Sequence, residues 1–246
     1  MKKYLVILSG WGVDEFVWKP IVDFFKEEFE VFILTWEKIG VIDEFKNRFI
    51  DLIYEKNMEQ FSIIGWSLGS LVAIDLYKDF SSKIEHMILF NATAKFIQDE
   101  NYFYGWNKKI VDRMIYMLKG DHEKTLKKFY KNLFSRVEVD NGYEKKFLDE
   151  IKKIDTKKDI KSLLIGLEYL KDQDLRECLK EIDGKILLIH GEKDSICPIQ
   201  AGEYLKNHIK KAKMVVLKKA GHMILFTKPD ECYKIIKNYI KEGRNS

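Results

Sequence analysis

Ser67 stands between two glycines in Gly65-Trp66-Ser67-Leu68-Gly69, where the apolar run Phe61–Ile64 passes into a segment of helical period, Leu68–Lys78. Serine is a poor helix former, and glycine weakens strands and helices alike. Three such residues at one junction point to a backbone geometry kept for chemistry. The strand-turn-helix frame is the one a nucleophile elbow requires. In that turn the serine takes a strained conformation that lifts its hydroxyl clear of the sheet's C-terminal edge. The residues two before and two after it must be tiny, because strand and helix backbones pass close together. The free N–H groups of the helix start beside Ser67 favour a developing negative charge.

A serine hydroxyl is a weak nucleophile and needs a base that is itself oriented by an acid. The motif therefore predicts a carboxylate and then a histidine, each just beyond a later strand. The run Lys185–His190 leads into GEKDSICP, which presents Asp194, and the run Met214–Leu217 leads into KKAGHMILFTKPDE, which presents His222. Taken alone, Asp194 could be a turn residue and His222 a loop histidine; their order and placement together predict a Ser67–Asp194–His222 triad. His190 ends a strand and reads as structural, while His86, His122 and His208 lie on surface-like segments. An oxyanion hole is expected from the N–H of Leu68 and that of Trp11, in the loop Ser9-Gly10-Trp11-Gly12 after the first strand. The Trp11 ring can be buried while its N–H does this chemistry.

The elements that must position these groups follow from periodicity. Short apolar runs at Tyr4–Leu8, Phe29–Thr35, Phe61–Gly65, Ile84–Asn91, Lys185–His190 and Met214–Leu217 suit strands covered on both faces. Between them, Trp18–Glu28, Ile42–Lys56, Leu68–Lys78 and Ala201–Ile209 carry apolar residues every three or four positions. That alternation predicts an α/β fold with a mainly parallel sheet and helices on both faces. From about Ile97 to Glu181 the rhythm changes to amphipathic helical pattern only, in KKIVDRMIYMLK, KTLKKFYKNLF, YEKKFLDEIKKI and IKSLLIGLEYL. The expected organisation is a core of residues 1–96 and 182–246 with a helical cap at 97–181. The positive charge gathers in that cap: from Lys108 to Lys161 there are 16 basic against 10 acidic residues. For any single lysine a solvated helix face is the plainer reading.

The totals narrow the class. A chain of 246 residues, 46% hydrophobic, is ample for one core, and its aromatic content argues against disorder. A net charge of +4 gives little reason to expect nucleic-acid binding. Three scattered cysteines with no CxxC pair suit a reducing compartment and offer no zinc spacing. Tyr4–Leu8 is too short for a signal peptide, and no run approaches the roughly 18 apolar residues of a membrane span. A cytoplasmic monomer with no cofactor and no metal is expected.

These residues resemble the α/β-hydrolase superfamily over essentially the whole chain. Within it they are similar to the pimeloyl-[acyl-carrier protein] methyl ester esterase family of biotin synthesis. That second likeness rests on LVILSGWGVDEFVW (5–18), GWSLGSLVA (65–73), GLEYLKDQDLRECL (166–179), LLIHGEKDSICP (187–198) and the AGH at 220–222. The resemblance implies a serine carboxylesterase with the acyl chain under the cap, bordered by Trp11, Phe129, Tyr130, Lys131, Asn132 and Leu133. It also implies an acidic acyl-carrier protein docking on basic cap residues, here Lys124, Lys128 and Lys145. The chain departs from the family at Ser9, where histidine is usual, and at Ser70, where glycine is frequent. It also shows no leading hairpin and no long glycine-rich loop after Thr35, so a reduced sheet of about six strands is expected. The alternatives are a general short-acyl esterase, a C–C hydrolase or menaquinone-type lyase acting on a small metabolite, or a non-catalytic receptor on the same fold.

Overall fold

Six runs rich in Val, Ile, Leu and Phe form one sheet in the computed structural model, which describes residues 3–154 and 158–244. Lys157 of the basic segment thus lies outside the described residues. The strands are β1 (Lys3–Leu8), β2 (Phe29–Leu34), β3 (Phe61–Trp66), β4 (Ile84–Phe90), β5 (Ile186–Gly191) and β6 (Ala212–Leu217). All five pairings are parallel, in the order β2-β1-β3-β4-β5-β6. Every residue of β3 and β5 is buried, as their near-continuous apolar runs require of inner strands. The reduced parallel sheet expected from the sequence is what forms.

The helices, in chain order, are α1 (Lys19–Phe25), α2 (Glu44–Glu55), α3 (Leu68–Phe80), α4 (Lys108–Gly120), α5 (His122–Lys131), α6 (Arg136–Asp140), α7 (Tyr143–Lys153), α8 (Ile160–Asp172), α9 (Ile199–His208), α10 (Ile224–Thr227) and α11 (Pro229–Arg244). The chain steps one way from β1 to β2 and the other way from β2 to β3. Right-handed crossovers therefore place α1 on one face and α2, α3 and α9 on the other. The strand order reverses between β1 and β3, and ligands bind at such switch points, beyond the strands' carboxyl ends. The loops leaving these two strands begin at Ser9 and Ser67.

Helices α4 to α8 fill the interval between β4 and β5. Four of them begin on side-chain caps: Asn107, Asp121, Ser135 and Asp159 accept from the N–H of Lys109, Lys124, Glu138 and Ser162. The short α6 escaped the periodic reading because five residues hold too little period; its signal is the capping box Ser135–Glu138. Helix α11 has Pro229 at its first position, acids in its first turn, and Cys232, Ile236, Tyr239 and Ile240 buried along one face. Phe147 on α7 is fully buried, with ring centroids 5.4–5.6 Å from Tyr130, Phe134, Phe16 and Phe226. That aromatic cluster joins the inserted helices to the loops after β1 and β6. At the insertion's base, Lys95 and Arg176 each pair with both Asp99 and Asp174, tying its entry to its exit.

The elbow glycines are required by contact. A Cβ on Gly69 would stand 2.1 Å from the Leu8 carbonyl oxygen, and one on Gly65 would stand 2.7 Å from that of Gly69. Gly69→Ala is therefore expected to cost about 3 kcal/mol or more, because the backbone it meets cannot yield. Gly120→Ala, where a Cβ meets nothing within 4 Å, is expected to stabilise by roughly 0.5–1 kcal/mol. Denaturant midpoints of the two variants check both.

Candidate active site

Ser67 leaves β3 at φ 54°, ψ −117°, a conformation that L-residues avoid, and it is the N-cap of α3. The strain is held by β3 pairing with β1 and β4 and by the bond from the Ser67 N–H to the Phe90 carbonyl at 3.0 Å. Ser67 is 8% exposed, so its hydroxyl sits just beneath the surface.

Asp194 and His222 meet. Nδ1 of His222 lies 2.7 Å from Oδ2 of Asp194, with both side chains buried. Oδ1 of Asp194 accepts from the N–H of Ile196 at 2.8 Å and of Cys197 at 3.0 Å. Oδ2 also accepts from the Asn91 amide at 2.5 Å. Burial would raise this carboxyl, but the charge and hydrogen bond of His222, with His190 and Asn91 beside it, hold it below the usual carboxylate range. Nδ1 of His222 therefore carries the proton that Asp194 accepts, which leaves a lone pair on Nε2. Nε2 is buried and has no hydrogen-bond partner among the described residues, so the step from His222 to Ser67 is not closed by a hydrogen bond. Such bonds commonly tighten only when substrate is present.

The floor beneath His222 is Trp66, whose indole N–H donates to the His222 carbonyl at 3.1 Å and whose ring lies 5.3 Å from the imidazole. The same ring excludes any side chain at Gly10, where a Cβ would come within 2.6 Å. Ser9, the departure from histidine, accepts from Trp18 through its hydroxyl at 2.9 Å and from Trp36 through its carbonyl at 2.6 Å. Ser70 donates to the Phe90 carbonyl at 3.2 Å.

Trp11 is buried, and its indole N–H donates to the Leu163 carbonyl of α8 at 2.8 Å. Its ring meets Phe129 edge-on at 4.9 Å. A Cβ on Gly166 would stand 2.6 Å from Trp11 Cδ1 and 3.7 Å from Leu68 Cδ1, so both residues with the expected oxyanion donors abut this glycine. The backbone N–H of Trp11 donates to no backbone carbonyl among the described residues. That of Leu68, first in α3, is one of the helix's free donors.

The segment 129–133 is divided. Phe129 and Asn132 border a groove of about 490 Å³ between α4 and α5, with Trp106, Ile110, Met114 and Met117. Tyr130 and Lys131 border another, of about 780 Å³, between α5 and α7. Tyr130 also donates to the Gly12 carbonyl at 2.7 Å, and Leu133 is fully buried. Neither groove is lined by Ser67 or His222; the smaller one meets the Trp11 loop through Phe129 and the Asp194 loop through Ser195, which donates to the Asn132 carbonyl at 2.9 Å. Lys124, Lys128 and Lys145 are exposed, and among the described residues none of them is ion-paired.

Two residues of the site, Asn91 and Glu138, lie outside the sequence reading, and His190 entered it only as a structural strand end. Asn91 stands at φ 47° at the end of β4 and bonds both Asp194 and the Gly221 carbonyl. His190, read as a structural strand end, is buried 3.7 Å from Asp194, with Nε2 at 2.8 Å from the Cys197 carbonyl. Burial lowers its pKa against the pull of Asp194. Glu138 is buried beside the His222 loop. An asparagine or histidine closing a strand is a signal of sorts; a glutamate on a short helix offers none. The Cys197 thiol, pushed well above its usual range by burial and by Asp194, is no nucleophile.

A family model described as alpha/beta hydrolase fold matches residues 43–229, and the chain belongs to that family. Its relatives include the pimeloyl-[acyl-carrier protein] methyl ester esterases of Legionella pneumophila (strain Paris) and Wigglesworthia glossinidia brevipalpis. The first is 25% identical, over 96% of this chain and 95% of its own; the second is 28% identical, over 97% and 93%. Among solved structures, an esterase from Exiguobacterium antarcticum superposes with a TM-score of 0.84 at 20% identity, covering 97% of this chain and 92% of its own. A bromoperoxidase from Bacillus anthracis superposes at 0.85 with 18% identity, covering 98% and 92%. Among the described residues no helix is long and apolar enough to cross a membrane.

The two shifted groups set an acid limit on stability. His190 is lowered by burial, so the unfolded chain takes up that proton first, and stability falls as pH drops below about 6.5. Asp194 is lowered too, so its contribution is complete above about pH 3.9 and is lost as pH falls through the folded value. Denaturant unfolding against pH is expected to lose its upper limb in His190→Gln and its lower limb in Asp194→Asn. An unchanged acid slope in both variants contradicts this electrostatic account.

Proposed function

We propose that the protein is a serine carboxylesterase that cleaves the methyl ester of pimeloyl-[acyl-carrier protein]. The observation that carries the chemistry is the unpartnered Nε2 of His222, set opposite an Nδ1 held by Asp194. In this reading Nε2 takes the Ser67 proton as the hydroxyl attacks the ester carbonyl. The oxyanion rests on the N–H groups of Leu68 and Trp11, and each such donor typically lowers the barrier by about 3–4 kcal/mol. His222 returns the proton to the departing methanol, and water repeats the sequence on the acyl-enzyme.

Three observations support the substrate. The two esterases named above bear that activity in their names, and this chain matches them over nearly their whole length. Trp106, Ile110, Met114, Met117 and Phe129 make half of the α4–α5 groove's lining, which suits an aliphatic acyl chain, and Lys109, Arg113 and Lys128 are exposed at its border rather than sunk in it. A small anionic metabolite would call for a buried arginine. Lys124, Lys127, Lys128 and Lys131 stand exposed on α5 with no ion-pair partner among the described residues, as docking of an acidic carrier needs.

Ser67→Ala is expected to lower turnover by about 10⁴-fold or more, to abolish labelling by a fluorophosphonate, and to fail to rescue a biotin auxotroph that the wild type rescues. Good turnover of short free esters by a wild type that does not rescue would point to a general esterase. Reversing charge at Lys124 and Lys145, which lie outside the α4–α5 groove, is expected to raise KM for the carrier-bound ester by about tenfold, roughly 1.4 kcal/mol, and to leave free methyl esters unaffected. Equal effects on both substrates would remove the docking role.

A further inference from the structure

The loop that carries His222 is held from the insertion as much as from the sheet. Glu138 on α6 is 4% exposed, and among the described residues it has no cation beside it. Its Oε2 accepts from the N–H of Ser135 and from the N–H of Gly221, each at 2.8 Å. Its Oε1 accepts from the Thr227 hydroxyl at 2.6 Å. Gly221 immediately precedes His222, and Thr227 closes α10 behind it. Around these bonds the Leu133 carbonyl accepts from the N–H of His222 at 2.7 Å and of Met223 at 3.1 Å, and the Ser135 hydroxyl donates to the Lys219 carbonyl at 2.6 Å. The fit leaves no slack: a Cβ on Gly221 would stand 2.6 Å from the Ser135 nitrogen and 2.9 Å from Glu138 Oε2.

A carboxylate is costly to bury unless its oxygens are fully bonded, and a well-packed apolar residue would be no less stable there. What this side chain adds is direction, since its two oxygens hold three donors at set places. Two of the three donors lie on the segment that sets where the imidazole stands. We propose that Glu138 is a positioning residue for His222, clamping the 219–227 segment to the insertion so that Nε2 faces the position above Ser67. This rests on the reading of His222 as the base.

Glu138→Gln keeps one oxygen for Ser135 and Gly221 and turns its amide to the Thr227 hydroxyl, which can accept; Glu138→Ala keeps nothing. For Glu138→Ala, kcat on a methyl ester is expected to fall by about 10–100-fold with KM changed less than about twofold, the range lost with outer-shell partners. The low-field proton NMR signal of the His222 Nδ1–H is expected to broaden or move upfield in the same variant. Glu138→Gln should restore both. A folded Glu138→Ala protein with wild-type kcat and an unmoved signal overturns the proposal. Should that variant not fold, Thr227→Val removes one bond at nearly constant shape. A shifted signal with lower kcat supports the clamp, and a folded protein unchanged in both overturns it. The NMR signal needs no substrate, so a wild type that cleaves no ester would count against the proposed activity and not against the clamp.

Discussion

One ionised carboxylate buried at the rim of the sheet organises this end of the molecule. Burying an unpaired charge costs several kcal/mol, while a hydrogen bond to a charged group returns about 1.5–3 kcal/mol, so Asp194 needs several donors at once. It has them from different parts of the chain: Asn91 after β4, Ile196 and Cys197 on its own loop, and His222 after β6. Each donor is aimed because the charge would otherwise be unsatisfied. The same arrangement that keeps the carboxylate ionised fixes the imidazole's tautomer and direction. Stability and geometry have one origin here.

The second constraint is steric. β1, β3 and α3 approach so closely at the elbow that Gly65 and Gly69 face backbone atoms at less than van der Waals distance from any Cβ. Ser67 can hold its unfavourable φ because the flanking strands and the first turn of α3 leave its backbone no other path; such a conformation costs about 1–3 kcal/mol. The result is a serine held in a strained turn at the point where the strand order reverses.

The insertion is more than a cover. Leu163 and Tyr130 bond the loop after β1, the aromatic cluster around Phe147 joins Phe16 to Phe226, and the 132–138 segment bonds the loops of Asp194 and His222. A rigid movement of all five helices would pull on these loops. The α4–α5 groove, by contrast, is bordered by long flexible side chains such as Met114, Met117, Lys109 and Lys128. In the proposed function the first part holds the site and the second admits the acyl chain.

The strand positions, the helix faces, the elbow and the order of Ser67, Asp194 and His222 could all be read from the chain, because each is written locally. An apolar run, a spacing of three or four, or a glycine beside a serine is visible within about a dozen residues. The likeness to carrier-ester hydrolases was legible in the same way, from short motifs such as GWSLGSLVA. Tertiary structure alone decided that Asn91 reaches Asp194 across 103 residues, that Glu138 meets Gly221 across 83, and that Trp11 docks on Leu163 across 152. It also decided that the segment 129–133 faces two grooves rather than one. The reason is that a buried polar group is satisfied by whatever donor the fold brings near, and packing, not sequence spacing, determines which donor that is.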